Sequence, residues 1–146
     1  MANIIRIDVD GCEPMYADLL TKLAPETCAA FCADLPYRDK IISHVKWSGN
    51  VISVFSTMAF SHAEATRCLG VVPGDILYNP HVHDAAEHPN EVSLVYGPAA
   101  MRTFSGYALA NRFAKVRPEY LAALSELGND INRHGERTAS FMLVEE

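Results

Sequence analysis

Hydrophobic and polar residues alternate at the start of the chain. Two such runs, 5–9 and 15–19, are separated by the turn pair Asp10-Gly11. Side chains of a β-strand point to opposite faces in turn, so a period of two indicates a strand with one buried face. The pattern therefore predicts an opening β-hairpin.

Two segments carry the wider apolar spacing that is typical of amphipathic helices. Pro25 suits the first position of one helix, and Pro36 ends it. Pro118 begins the other helix, and His134-Gly135 closes it. The apolar stripes are Cys28, Phe31, Cys32 and Leu35 in the first helix, and Leu121, Leu124, Leu127 and Ile131 in the second.

Further strands are predicted between and after the helices. The runs 41–47 and 51–55 flank Ser48-Gly49-Asn50, a tight turn by composition, so they indicate a second hairpin. The remaining strand-like runs are 75–78, 91–96, 107–116 and 138–144.

The order of these elements predicts the architecture. Helices are too few for a doubly wound sheet, and strands are too many for a helix bundle. A closed or nearly closed antiparallel β-barrel with a helix over each open end fits the pattern, because closure removes exposed strand edges. No repeat or linker interrupts the sequence, so we expect residues 1–146 to form a single domain.

Composition narrows the class of protein. Apolar residues make up 49% of the 146 residues, which is enough to fill a core. The net charge of −6 and the lack of a lysine and arginine cluster argue against nucleic acid as a partner. The sequence shows neither an apolar run of membrane-span length nor a signal peptide, so we expect no membrane association and a cytoplasmic location.

Four cysteines, Cys12, Cys28, Cys32 and Cys68, raise the question of redox or metal chemistry. Cys28 and Cys32 are four residues apart in a predicted helix, so they share one face, and that face also carries Phe31. The favoured interpretation is a buried structural thiol at each position, with a redox or metal role as the alternative.

Histidines cluster after the predicted strand 75–78. His81, His83 and Glu87 have a spacing similar to that of the first metal motif of cupin barrels. No histidine on a later strand completes such a set, so we predict a polar loop without a metal, in which His83 contacts a ligand. A transition-metal site is the alternative, and His62 could join either this cluster or a site at His44.

Five segments together carry a resemblance to a known family. They are 24–31 (APETCAAF), 44–49 (HVKWSG), 74–80 (GDILYNP), 95–98 (VYGP) and 111–114 (NRFA). The chain resembles a family of short bacterial proteins of unknown function with a cyclophilin-like barrel. The resemblance covers most of the chain and implies a mainly β fold, a cyclophilin-like antiparallel β-barrel with two capping α-helices. The first segment is also similar to the first helix of true cyclophilins.

The resemblance to cyclophilins also bears on activity. True peptidyl-prolyl isomerases hold an arginine on the third strand, within a phenylalanine-histidine-arginine segment. The comparable strand here carries Lys46, which lacks the planar fork of donors of an arginine. Weak prolyl isomerase activity at most is therefore implied. Related domains in bacterial enzymes act on lactams and urea-like amides, which suggests a small carbonyl or amide ligand by analogy of fold.

Candidate site residues follow from strand alternation. His44 and Lys46 share one face of their strand, and a lysine beside a histidine favours the neutral imidazole that a general base requires. We therefore predict His44 and Lys46 as catalytic residues, with a solvated outer face as the alternative. Tyr78, Tyr96 and Arg112 are the predicted substrate-binding residues, together with His83. An arginine there would favour a carboxylate.

Two functions remain open. One is an enzyme, a hydrolase or isomerase acting on a small polar carbonyl, amide or carboxylate compound without a cofactor. The other is a non-catalytic module that binds a peptide or metabolite. We also predict a homodimer, because apolar residues fall in irregular stretches where a monomer would struggle to bury them: Phe55, Met58, Phe60, Met101 and Phe104.

Overall fold

The computed structural model describes residues 3–58, 63–68, 70–80, 90–103, 106–107 and 109–144. In chain order, the strands are β1 (Ile4–Val9), β2 (Met15–Leu19), β3 (Tyr37–His44), β4 (Gly49–Ser56), β5 (Arg67–Cys68), β6 (Asp75–Asn79), β7 (Asn90–Ala99), β8 (Arg102–Thr103), β9 (Gly106–Tyr107), β10 (Ala110–Val116) and β11 (Arg137–Leu143). The helices are α1 (Pro25–Asp34) and α2 (Leu121–His134), and a short 3₁₀ turn, Pro118–Tyr120, leads into α2.

Eight of these strands close into an antiparallel barrel. Their order is β2-β1-β11-β3-β4-β7-β6-β10, and β10 pairs again with β2, where Ala114 lies opposite Leu19. The predicted mainly β barrel with two helices is thus confirmed. Closure leaves neither edge of the main sheet open, which protects such a barrel from edge-to-edge pairing.

Strand boundaries differ from the predicted ones in the second hairpin. β3 begins at Tyr37 and ends at His44, so Lys46 and Trp47 lie beyond its end. Trp47 is 48% exposed. The strands β5, β8 and β9 were not predicted, because two residues are too few to show a period.

The N-terminus of helix α1 is capped by a carboxylate that is distant in the sequence. Ala24 at its N-cap position provides no side-chain acceptor. Glu64 fills this role instead, accepting hydrogen bonds at 2.9 Å from the backbone N–H groups of Glu26 and Thr27. A negative charge at this end also suits the helix dipole, so Glu64 joins the segment before β5 to α1.

Helix α2 packs its predicted apolar stripe on the barrel. Leu124, Leu127 and Ile131 are buried, and Gly135, with a φ of +101°, ends the helix. Gly128 lies directly against the ring of Tyr96 on β7, leaving no room for a side chain. Within the part of the chain that the structure describes, no helix is long and apolar enough to cross a membrane.

Strand alternation divides the buried residues into two clusters. The larger fills the barrel interior and includes the aromatic pair Phe31 and Phe113, with ring centroids 4.8 Å apart. The smaller lies on the opposite side of the sheet, which we call the outer face, and contains Val51, Leu77, Val95, Met101 and Ala110. The outer face of the central strands is therefore partly buried as well.

Apolar residues expected to be exposed divide into two groups. Met58 and Met101 are buried, which corrects that expectation, because both pack within the monomer's own clusters. Phe55 is 56% exposed, as predicted. Phe60 and Phe104 lie outside the described residues.

Stability should fall above pH 9, because burial raises the pKa of core groups that are neutral when folded. The pKa of Cys28 rises from an ordinary 9.0 to about 12, and that of Tyr78 rises from 10.0 to about 12. Their stabilising contribution is complete below the unfolded pKa values and is lost as the pH rises toward 12, since the unfolded chain releases these protons first. Urea unfolding across this range measures the decline. In Cys28→Ala the loss of stability between pH 9 and pH 12 should be smaller, because one contributing thiol is removed while Cys32 remains. An unchanged loss would contradict the assignment.

Candidate functional site

A line of cross-strand neighbours runs over the outer face. Ser43 on β3 lies opposite Ser53 on β4, and Ser53 lies opposite Ser93 on β7. Beyond it, Ser93 lies opposite Leu77 on β6, and Leu77 lies opposite Arg112 on β10. We call these five residues the outer row. Strand alternation directs all of them away from the barrel interior.

Two serines in the outer row are buried although they lie outside the barrel. Ser53 is 4% exposed and Ser93 is fully buried, and their hydroxyl oxygens are 2.7 Å apart. Asn79, on the same face of β6, is also buried. Burying polar groups costs free energy unless they have hydrogen-bond partners, so buried serines and an asparagine on the outside of a barrel indicate a functional role.

A buried carboxylate with two cations stands at the end of the outer row. Asp75 is fully buried, and its Oδ2 lies 3.2 Å from Nε of Arg112 while its Oδ1 lies 3.4 Å from Nζ of Lys115. The backbone N–H of Val72 donates to Asp75 Oδ2 at 2.9 Å, and Arg112 Nη2 donates to the Gly70 carbonyl at 3.2 Å. Among the described residues, this group combines one carboxylate with two cations and so has a net positive charge.

His44 and Tyr96 meet on the inner face, at the end of the barrel covered by α2. Nδ1 of His44 lies 2.8 Å from the Val45 carbonyl, which only accepts, so this nitrogen carries the proton. Nε2 is then the acceptor for the Tyr96 hydroxyl, 2.7 Å away. Burial raises the pKa of Tyr96, which keeps the hydroxyl protonated as the donor.

The predicted site residues are distributed over several places. The structure brings His44 and Tyr96 together, whereas Lys46 is exposed beyond the end of β3. Tyr78 is buried in the barrel interior, where its hydroxyl donates to the Met58 carbonyl at 3.0 Å. Arg112 is on the outer face, across the sheet from His44. His83 lies outside the described residues, as do His62, His81 and Glu87.

Sequence reasoning missed the polar residues of the outer face: Ser53, Ser93, Asn79 and Asp75. A signal for them exists, because a serine interrupts an apolar strand at each of the first two positions. Alternation indicates that such a serine faces away from the barrel core. It does not indicate that this face is buried, because burial depends on segments elsewhere in the chain.

Solved structures share this fold at low sequence identity. McbB, solved in complex with tryptophan, superposes with a TM-score of 0.73 and 19% identity over 97% of this chain, which spans only 45% of McbB. The hypothetical protein AF2241 from Archaeoglobus fulgidus has a TM-score of 0.63 and 14% identity, covering 98% of this chain and 95% of its own. A cyclophilin-type peptidyl-prolyl cis-trans isomerase from Cryptosporidium parvum has a TM-score of 0.53 and 15% identity, covering 100% of this chain and 99% of its own.

These likenesses show the fold alone, which is cyclophilin-like as the sequence predicted. Among proteins with curated descriptions, none matches this chain. A family model described as protein of unknown function (DUF3830) matches residues 5–143, nearly the whole chain. The chain therefore belongs to the DUF3830 family.

Proposed function

We propose that this protein binds a small polar molecule carrying a carbonyl, amide or carboxylate group, and that the ligand lies along the outer row. The observation that carries the proposal is the buried hydroxyl pair of Ser53 and Ser93, two strands from the guanidinium of Arg112. Ligand sites combine apolar walls with a few fixed polar groups. The outer cluster around Leu77 supplies apolar walls of that kind.

The chemistry of the outer row suits an oxygen acceptor. When one serine of the pair donates to the other, the second hydroxyl hydrogen is available for a carbonyl or carboxylate oxygen. The net positive charge at Arg112, Lys115 and Asp75 favours an anionic group at that end of the row. McbB, which shares this fold over 45% of its length, was solved in complex with tryptophan, a molecule that carries a carboxylate, and this supports a ligand of that kind.

Binding is tested by thermal-shift screening against amino acids, short carboxylic acids, lactams and ureides, followed by calorimetry on any hit. Arg112→Lys keeps the charge but loses the planar fork, so carboxylate affinity should fall about tenfold. Arg117→Lys, in an exposed ion pair with Asp18, is the matched control and should bind normally. Wild-type affinity both in Arg112→Lys and in a Ser53→Ala, Ser93→Ala double variant would reject the outer row as the site.

Acid–base catalysis at His44 is the second candidate, favoured by one observation. The Tyr96 hydroxyl donates to Nε2, which marks that nitrogen as the basic one. In this alternative His44 takes a proton from the substrate, Tyr96 orients the substrate, and Lys46 holds its anionic group, because Arg112 lies across the sheet. Turnover of a lactam or ureide that is lost in His44→Gln but kept in His134→Gln, an exposed histidine on α2, would support it.

Prolyl isomerase activity should be weak or absent. Ser43 of β3 is directed to the outer face, and Val45, just after the strand, packs against the outer cluster. Neither residue offers a guanidinium, and Lys46 also lies beyond the strand. A twisted prolyl amide then lacks bidentate donors from this strand. A protease-coupled assay on a proline peptide, with an ordinary cyclophilin alongside, measures this. Comparable turnover by the two proteins would overturn the prediction.

We also propose that the protein forms a homodimer. Ile41 and Phe55 are 57% and 56% exposed at outward-directed positions of β3 and β4. A two-fold dimer would cover both side chains. Sedimentation at micromolar concentration should show the dimer mass for the wild type and the monomer mass for Phe55→Ser. A wild-type protein that sediments as a monomer would exclude the dimer.

A further inference from the structure

A small cavity opens beside helix α1, on a different side of the molecule from the outer row. Its volume is about 260 Å³, and its walls are formed by α1, the end of β2 and the end of β11. Leu19, Ala29 and Leu143 contribute apolar wall, and the sulfur-bearing residues Cys28 and Cys32 also line the cavity. The cavity is therefore lined by two cysteine residues among mostly apolar neighbours.

We propose that Cys28 and Cys32 form a dithiol site for a soft, thiophilic metalloid that carries an apolar substituent, of which trivalent organoarsenicals are the type. Residues four apart on a helix have Cβ atoms about 5–6 Å apart on one face, so a single atom can bridge their sulfurs. The apolar substituent then occupies the cavity between Leu19 and Leu143.

The two thiols differ in access, which suits stepwise capture. Cys32 is partly exposed, while Cys28 is buried, with its thiol donating to the Phe113 carbonyl at 3.2 Å. An incoming metalloid reaches Cys32 first. Its second bond then forms with Cys28 inside the cavity, and closing this ring holds the adduct against release.

Neutral thiols favour a metalloid over an ordinary cation. Burial raises the pKa of Cys28 and of Cys32, so both remain protonated at neutral pH. A hard cation would bring uncompensated charge into an apolar cavity, which is costly. Condensation avoids this cost, because the adduct is uncharged.

The reaction is balanced without an oxidant. An arsenic(III) oxide, R–As=O, reacts with two thiols to give R–As(S–Cys)₂ and one molecule of water. Two S–H bonds break and two As–S bonds form. The oxide oxygen leaves as water with both thiol protons, and arsenic stays trivalent throughout.

Phenylarsine oxide added to the reduced, purified protein tests the site. Intact mass should show one phenylarsenic group per chain, and the count of free thiols should fall by two. Cys28→Ser and Cys32→Ser should each lower the affinity at least 100-fold, because a single thiol cannot chelate. Cys12→Ser is the matched control and should bind normally, since Cys12 lies outside this cavity, against Arg137.

A cavity-filling variant tests the role of the apolar walls. Ala29 is an exposed helical residue that lines the cavity, so Ala29→Leu should fold normally and obstruct the phenyl group. Its affinity for phenylarsine oxide should fall at least fivefold with both thiols intact. Wild-type binding by Cys32→Ser, or the loss of only one thiol per adduct, would overturn the proposal. Because Cys32 is partly exposed, that variant remains informative if Cys28→Ser fails to fold.

Discussion

Replacing Gly128 with alanine should destabilise the protein by about 2–3 kcal/mol, although alanine is the better helix former. A Cβ at this position would lie 2.3 Å from Cγ and Cδ1 of the Tyr96 ring. The ring cannot move aside freely, because its hydroxyl is held by His44 at 2.7 Å. Overpacking in the α2 interface therefore outweighs the gain in helix propensity of about 1 kcal/mol.

Urea unfolding measures this loss, with Asn129→Ala as the matched control. Asn129 is the next residue of α2 and is exposed, so alanine there should leave stability unchanged or slightly raise it. In a Tyr96→Ala background the clash is absent, and Gly128→Ala should then stabilise. If alanine at position 128 destabilised both backgrounds equally, contact with Tyr96 would not be the cause.

Strand alternation made the barrel predictable because each long strand has one strongly apolar face. The positions 5, 7 and 9 of β1 and 15, 17 and 19 of β2 are all buried, as the period of two requires. The start of β3 was harder to predict, because Arg38, Asp39 and Lys40 follow Tyr37 with no alternation. Lys40 pairs with Ala139 of β11 and Tyr37 with Phe141, and Asp39, with a φ of +51°, lies where the register shifts between these two pairs. Pairing partners and bulges of this kind cannot be inferred from a local pattern.

The candidate sites were less predictable because they depend on contacts between distant residues. His44 and Tyr96 are 52 residues apart, and they meet only because β3 and β7 both pair with β4. Ser53 and Ser93 are 40 residues apart and require the exact register of β4 against β7. Alternation indicates which face a side chain takes, whereas register and burial follow from the closed barrel.

The two candidate functions use residues on opposite faces of the sheet. Tyr96 of the inner pair is buried against α2, while His44 is partly exposed. The outer row is buried at Ser53 and Ser93 and ends at the partly exposed cations Arg112 and Lys115. A ligand on the outer face is therefore expected to enter at the Arg112 end of the row.

Asp75→Ala should destabilise the protein by about 3 kcal/mol, because it removes the buried carboxylate that both Arg112 and Lys115 contact. The variant also deprives the backbone N–H of Val72 of its acceptor, which weakens the turn into β6. The two cations have side chains that are 29% and 44% exposed, so water recovers part of their loss. We therefore expect a loss of unfolding free energy at the lower end of the range of about 3–5 kcal/mol that is typical of breaking a buried ion pair.

The matched control is Asp18→Ala, which breaks an ion pair with Arg117 in which the Asp18 side chain is 53% exposed. An exposed pair contributes at most about 1 kcal/mol and is screened by salt. Urea unfolding at low and high salt distinguishes the two cases. The effect of Asp75→Ala should persist in 1 M salt, as roughly expected for a buried group, while that of Asp18→Ala should disappear. Equal losses in the two variants would mean that Asp75 acts as an ordinary surface charge, and the electrostatic argument for an anion at the end of the outer row would lose its support.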